Sequence, residues 1–189
     1  MSSQRPHADV PGMKLPAPRT PDPASAPALR WGLLGAGWIA SQLAISLRGT
    51  AQTVVAVGSR DLQRAQGFVD EHVPDARAHG SYADLVADPD VDAIHVASPH
   101  SEHLEHALLA IRAGKHVLVE KPLAPTADEA AQIVAAAREA GVFCMEAMWT
   151  RFLPHIDVLR QVLDAGMLGE VSTVLADHSI QLWPDGPER

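Results

Sequence analysis

Cysteine is almost absent: the chain has one, Cys144, inside the apolar run Val142-Phe143-Cys144-Met145. A single thiol cannot close an internal disulfide, so it reads as a small core side chain, and the compartment is expected to be the cytoplasm. An excess of positive charge is missing too. The 15 Lys and Arg face 23 Asp and Glu, a formal charge of -8, which leaves no basic stripe for phosphodiester backbones or anionic lipid. Nucleic acid and membrane partners are therefore not expected. The longest apolar runs are strand-length and broken by charge, far short of the roughly 20 residues that span a bilayer. Residues 1–28 lack both an apolar core region and a paired-arginine signal, and they hold seven of the 15 prolines; they read as a disordered Pro/Ala-rich tail.

What is present begins at Leu29. Short aliphatic runs alternate with amphipathic stretches, the pattern of an α/β doubly wound parallel sheet covered by helices. The spacing predicts strands at 30–34, 53–58, 92–97, 116–119 and 142–145. Ile39, Leu43 and Leu47 give the first helix an apolar face, and Leu104, Ala107, Leu108 and Ile111 give another. Asp61, Ser81 with Asp84, and Thr126 with Glu129 are helix-start signals, while Gly114 and Gly141 are stops. Beyond Met148 the character changes: Phe152, Ile156, Leu159 and Leu163 predict a long helix and Val171 to Ala176 one strand. A lone strand leaves its backbone groups unpaired, so the chain is expected to self-associate.

Gly35-Ala36-Gly37-Trp38-Ile39-Ala40 fits G-x-G-x-x-G/A, and it falls between a strand and a helix. In that setting the first Gly permits the turn and the second lets main-chain amides approach a pyrophosphate, while the small Ala40 allows close packing. Trp38 and Ile39 stand in the same motif, for which a dinucleotide is the expected ligand. At the end of the second strand, where a carboxylate would bind the ribose of NAD, stands Gly58-Ser59-Arg60. Ser59, Arg60 and Arg64 could engage a 2′-phosphate, which favours NADP over NAD. Asp61 is either a displaced ribose partner or a plain N-cap, and the cap is the preferred reading.

The stretch "AGKHVLVEKPL" puts Glu120-Lys121-Pro122 at the carboxyl end of a buried strand, the side on which open α/β sheets bind ligands. Lys121 there is either a surface charge paired with Glu120 or a cation able to hydrogen-bond a reacting oxygen and share its proton. The glycine turn, Ser59-Arg60, Ser98-Pro99-His100, Glu120-Lys121 and Glu146 to Trp149 all fall at such strand ends. His100, His103 and His106 wind round a helix over about 120° with no carboxylate or cysteine at a ligand spacing, so no metal site is read.

"GLLGAGWIA", "VVAVGSR", the run from Tyr82 to Leu123 and "EAMWTRFLP" together resemble the Gfo/Idh/MocA oxidoreductases, nearest the NADP-linked dihydrodiol and D-xylose dehydrogenases, over residues 30 to about 180. The resemblance implies a Rossmann domain at 29–149, followed at 150–189 by the start of an α+β substrate and dimerisation domain. It implies catalysis by Lys121, a nicotinamide bordered by Ser98, Pro99 and His103, further cofactor contacts at His100 and Glu120, and a small carbohydrate-like substrate against Trp149. His100 departs from the Asn that many relatives carry. The sequence stops before the helix that bears a second proton-sharing side chain in relatives, and neither Asp177 nor His178 is an equivalent. Two functions follow: a hydride-transferring oxidoreductase acting on a sugar, polyol or dihydrodiol, or a nucleotide-binding module without turnover.

Overall fold

The computed structural model describes residues 14–177, so residues 1–13 of the expected tail, His178 and the residues after it lie outside the described residues. Two compact units divide them, Thr20–Phe152 and a second made of 14–19 with 153–177.

The larger unit is a six-stranded parallel sheet in the order β3-β2-β1-β4-β5-β6. Its strands are β1 (Arg30–Leu34), β2 (Thr53–Gly58), β3 (Arg77–His79), β4 (Ala93–Val96), β5 (His116–Val119) and β6 (Cys144–Glu146). Between them run helices α1 (Trp38–Ser46), α2 (Leu62–His72), α3 (Tyr82–Ala87), α4 (His103–Arg112) and α5 (Ala127–Ala140). β3 has no counterpart in the sequence reading because Arg-Ala-His carries no apolar run. β6 begins two residues later than predicted, at Cys144.

Strand alternation sends neighbouring side chains to opposite faces. Leu33 and Val57 pack with Ala40, Ala44, Phe68 and Val69 of α1 and α2. Leu34, Ile94, Val96, Val117 and Val119 pack with Leu85, Ala107, Ile111 and Ile133 of α3 to α5. Right-handed crossovers require this division, since connections running from β1 toward β3 cover one face and those running from β4 toward β6 the other. The direction reverses between β1 and β4, and on the α1 side the outer half of the sheet has no crossover helix. A cavity of about 570 Å³ lies there, lined by Leu43 of α1 with His95, Leu118 and Met145. The apolar face predicted for α1 therefore turns partly toward this cavity, whereas Ala40 and Ala44 are what α1 buries. Small side chains let the helix come close to the strands.

Asp61, Ser81 and Thr126 cap their helices as expected; Thr126 and Glu129 form a complete capping box, and Gly141 closes α5 in the left-handed conformation. At the amino ends of the strands Arg77 meets Asp88 at 2.8 Å and Asp90 at 2.7 Å, and Arg30 meets Asp92 at 2.8 Å. Lys115 donates to the carbonyls of Asp88 and Val91. Within the stretch read as a tail, Asp22 caps a 3-10 turn at Pro23–Ser25, and the Gln52 amide donates to the Pro27 carbonyl at 2.8 Å. Proline stiffness lowers the cost of ordering this segment.

The second unit holds α6 (Pro154–Asp164), with Pro154 in its first turn. The Arg19 guanidinium pairs with Asp157 at 2.8 Å, and Gln161 donates to the Ala17 carbonyl at 2.9 Å. Val171 to Ala176, predicted as a strand, is not one: it has no partner strand among the described residues, and a strand exists only through pairing. No helix among the described residues is long and apolar enough to cross a membrane.

Candidate functional site

Because every strand is parallel, the five clusters singled out in the sequence stand on one edge, at the carboxyl ends of β1, β2, β4, β5 and β6. The topological switch lies between the first and third of these, which is where a crevice opens in such sheets.

The loop after β1 approaches its neighbours closely. Gly35 has φ +109, its amide donates to the Gly58 carbonyl at 3.0 Å, and a Cβ there would stand 2.9 Å from the Ala97 carbonyl oxygen. Any other residue would strain the backbone and collide. Gly37 differs, since a Cβ on it would meet nothing within 4 Å. It is the N-cap of α1 and provides no side-chain acceptor, so the helix presents its first amides uncovered. An uncapped helix start beside open space is what an anion requires. Trp38 beside it is 70% exposed.

After β2, Ser59 is buried; its amide donates to the His79 carbonyl, and its hydroxyl accepts the Asp61 amide at 3.3 Å. Asp61 is spent as the cap of α2, accepting from the amides of Gln63 and Arg64 at 2.8 and 3.4 Å. The exposed Arg60 guanidinium lies 3.3 Å from Glu102 of the loop after β4, and Arg64 donates to the Ala36 carbonyl at 3.4 Å. Cations thus flank the crevice where the sequence reading looked for a carboxylate.

After β4, Pro99 and His100 are exposed while Ser98 and His103 are buried. The His103 ring sits between two main-chain carbonyls, Nδ1 at 2.8 Å from Pro122 and Nε2 at 3.0 Å from Ser98. It touches backbone on both sides, so its influence on the rim runs through the two loops it joins. His106 is buried as well. Its Nδ1 lies 2.8 Å from the Ser98 hydroxyl, and its ring meets Tyr82 edge-on at 4.6 Å. Burial pushes the His106 pKa down, and the tautomer sets whether the ring or the Ser98 hydroxyl donates.

The turn after β5 is held from several directions. The Glu120 amide donates to the Val96 carbonyl and the Ala147 amide to that of Val119, at 3.0 and 2.7 Å. Glu120 Oε2 accepts the Lys121 amide at 3.2 Å, and Glu146 Oε1 accepts the Leu123 amide at 2.9 Å. Between these restraints the Lys121 side chain is exposed, and the Lys121-Pro122 peptide is cis. Trp149, 62% exposed, begins the 3-10 turn Trp149–Phe152 after β6. Sequence reasoning missed three side chains of this edge, Glu102, His95 and the buried role of His106. A polar residue inside an apolar strand was the one available signal, at His95. No group of three or more metal-ligating side chains occurs among the described residues.

Residues 29–148 match the family described as "Oxidoreductase family, NAD-binding Rossmann fold". The chain belongs to the Gfo/Idh/MocA oxidoreductase family. It is 45% identical over 159 residues to a trans-1,2-dihydrobenzene-1,2-diol dehydrogenase of Bos taurus, covering 82% of this chain and 47% of that protein. The Mus musculus protein of the same name is 42% identical over the same length. A 3-ketoreductase from Actinomadura kijaniata, solved in complex with NADP, superposes with a TM-score of 0.69 at 34% identity, over 76% of this chain and 46% of that one. An NAD-binding oxidoreductase from Klebsiella pneumoniae gives 0.70 at 31%, over 76% of this chain and 40% of that one. The chain spans about half the length of the curated relatives it matches.

Proposed function

We propose that this chain is the nucleotide-binding and lysine-bearing part of an NADP-dependent dehydrogenase or reductase that acts on a sugar, polyol or dihydrodiol-type alcohol, or on the matching carbonyl compound. The observation that carries the reading is the placing of exposed Lys121, on a turn restrained by Glu120, Glu146 and His103, on the same sheet edge as the uncapped start of α1.

Gly35, Gly37 and Ala40 suit a pyrophosphate: the open position at Gly37 and the free α1 amides provide room and donors. Trp38 and Ile39 border that position. Arg60, Arg64 and Ser59 would select a 2′-phosphate, and Asp61 does not oppose it because its carboxylate is engaged as a cap. Ser98, Pro99, His100 and Glu120 belong to the loops that would face the nicotinamide end, and His103 keeps two of those loops in register. When bound, the nicotinamide supplies the hydride acceptor or donor. Lys121 then donates a hydrogen bond to the oxygen on the reacting carbon and holds or returns its proton as charge develops there. Trp149 offers an exposed ring against which a carbohydrate-like or cyclic diol substrate can lie.

NADPH binding is followed by fluorescence, and reduction of NADP is then assayed with a panel of aldoses, polyols and dihydrodiols. Saturable binding with turnover abolished by Lys121→Ala supports the enzyme. The second reading is binding without turnover. It predicts saturable NADPH binding and no reaction with any member of the panel.

A further inference from the structure

Behind the lysine turn lies a side chain that the reading above does not use. His95 is the polar residue of the strand Ala93-Ile94-His95-Val96 and is 1% exposed. Its Nε2 lies 3.2 Å from Oε1 of Glu120, while the other oxygen of Glu120 accepts the Lys121 amide at 3.2 Å. A chain of two hydrogen bonds therefore runs from the middle of the sheet to the backbone of the reacting lysine.

The arrangement carries a cost. His95 Nδ1 is buried with no partner among the described residues. A buried polar atom left unpaired is destabilising, and an aliphatic side chain at this position would fill the space without that penalty. What an aliphatic residue cannot do is donate to Glu120. Around Glu120 the charged and titratable neighbours are His95 from β4 and Lys121 from its own turn, and Glu146 at the end of β6 spends an oxygen on the Leu123 amide. Burial alone would raise the Glu120 pKa. The His95 hydrogen bond and the Lys121 amide and ammonium outweigh it, so the carboxyl sits below its ordinary value and is ionised at neutral pH. An ionised carboxylate only accepts, so His95 Nε2 carries the hydrogen.

We propose that His95 is a positioning residue: by fixing the Glu120 carboxylate it sets the Lys121 amide, and with it the direction in which the ammonium group leaves the sheet edge. The proposal rests on the reading that Lys121 is the reacting group. Without the Nε2 donor the carboxylate is free to rotate, and the Lys121 amide loses a fixed acceptor. Glu146 and His103 would still hold Leu123 and Pro122, so the turn would persist while its first residue loosened.

The test compares His95→Phe, which removes the donor, with His95→Gln, whose side-chain amide can donate across a similar reach. Nuclear magnetic resonance on the full chain reads the Glu120 side-chain carboxyl titration and the Lys121 amide resonance. In His95→Phe the titration moves up and the amide resonance shifts, and His95→Gln restores both. A folded His95→Phe in which neither signal moves overturns the proposal, as does a His95→Gln indistinguishable from His95→Phe. Should His95→Phe not fold, Glu120→Gln serves: it must shift both the Lys121 amide and the His95 ring resonances, and unmoved resonances overturn the proposal. NADPH binding by the unaltered protein is measured alongside. Its failure would count against the proposed function alone, because the resonance comparison needs no nucleotide.

Discussion

Nδ1 of His103 lies 2.8 Å from the Pro122 carbonyl, joining the first turn of α4 to the residue that follows the lysine. With Nε2 on the Ser98 carbonyl, one buried ring locks the loops after β4 and β5 together. His103→Ala removes the ring that bridges the two carbonyls and leaves a void, at a cost of about 2–4 kcal/mol. Urea denaturation should show a lower midpoint with an unchanged slope.

The two glycines of the first loop should separate under substitution. Gly35→Ala forces a Cβ to within 2.9 Å of the Ala97 carbonyl oxygen at a φ of +109, so it lowers stability and nucleotide affinity together. Gly37→Ala meets nothing within 4 Å and has extended backbone, so it leaves the melting temperature nearly unchanged while weakening NADPH. Thermal unfolding and a fluorescence titration on both variants check the split.

Arg60→Ala should weaken NADPH about tenfold or more while affecting NADH much less, because a charge-assisted hydrogen bond to a phosphate contributes roughly 1.5–3 kcal/mol. The difference between the two nucleotides should shrink as salt rises, since Arg60 is exposed. Parallel titrations at low and high ionic strength read both effects.

At the opposite edge the Arg30 side-chain and amide hydrogen bonds lower the Asp92 pKa to about 2, against about 3.9 in an unfolded chain. The folded value is the lower one, so the stabilisation is fully present above about pH 4 and is lost as pH falls toward about 2. Asp92→Asn should be less stable at neutral pH and show a shallower loss of stability across that window in acid denaturation.

Local signals were legible because they need only neighbours. Gly35 and Gly37 between strand and helix, the Asp61 cap and the Thr126-Glu129 box depend on residues within a few positions, and the structure places each as the spacing implies. The parallel edge that unites Arg60, Ser98 and Lys121 followed from strand periodicity alone. What escaped depends on partners distant in sequence. Arg60 reaches Glu102 across 42 residues and His95 reaches Glu120 across 25, and no spacing rule links such pairs. The apolar face of α1 was legible in part: Leu43 and Leu47 pack against the core as read, while Ala40 and Ala44 are what the helix buries most deeply. Ile39 and Leu43 carry the hydrophobicity, but Ala40 and Ala44 are small enough to let the helix approach the sheet.

The central claim is that a nicotinamide ring lies beside Lys121 and an adenosine phosphate beside Arg60. Isotope-filtered Overhauser transfer from bound NADPH to the labelled full chain tests it directly. The account predicts cross-peaks from the nicotinamide protons to Lys121 and Trp149 and from the adenine protons to Arg60. Cross-peaks from the nicotinamide to residues at the amino ends of the strands, such as Arg30 or His116, would contradict it.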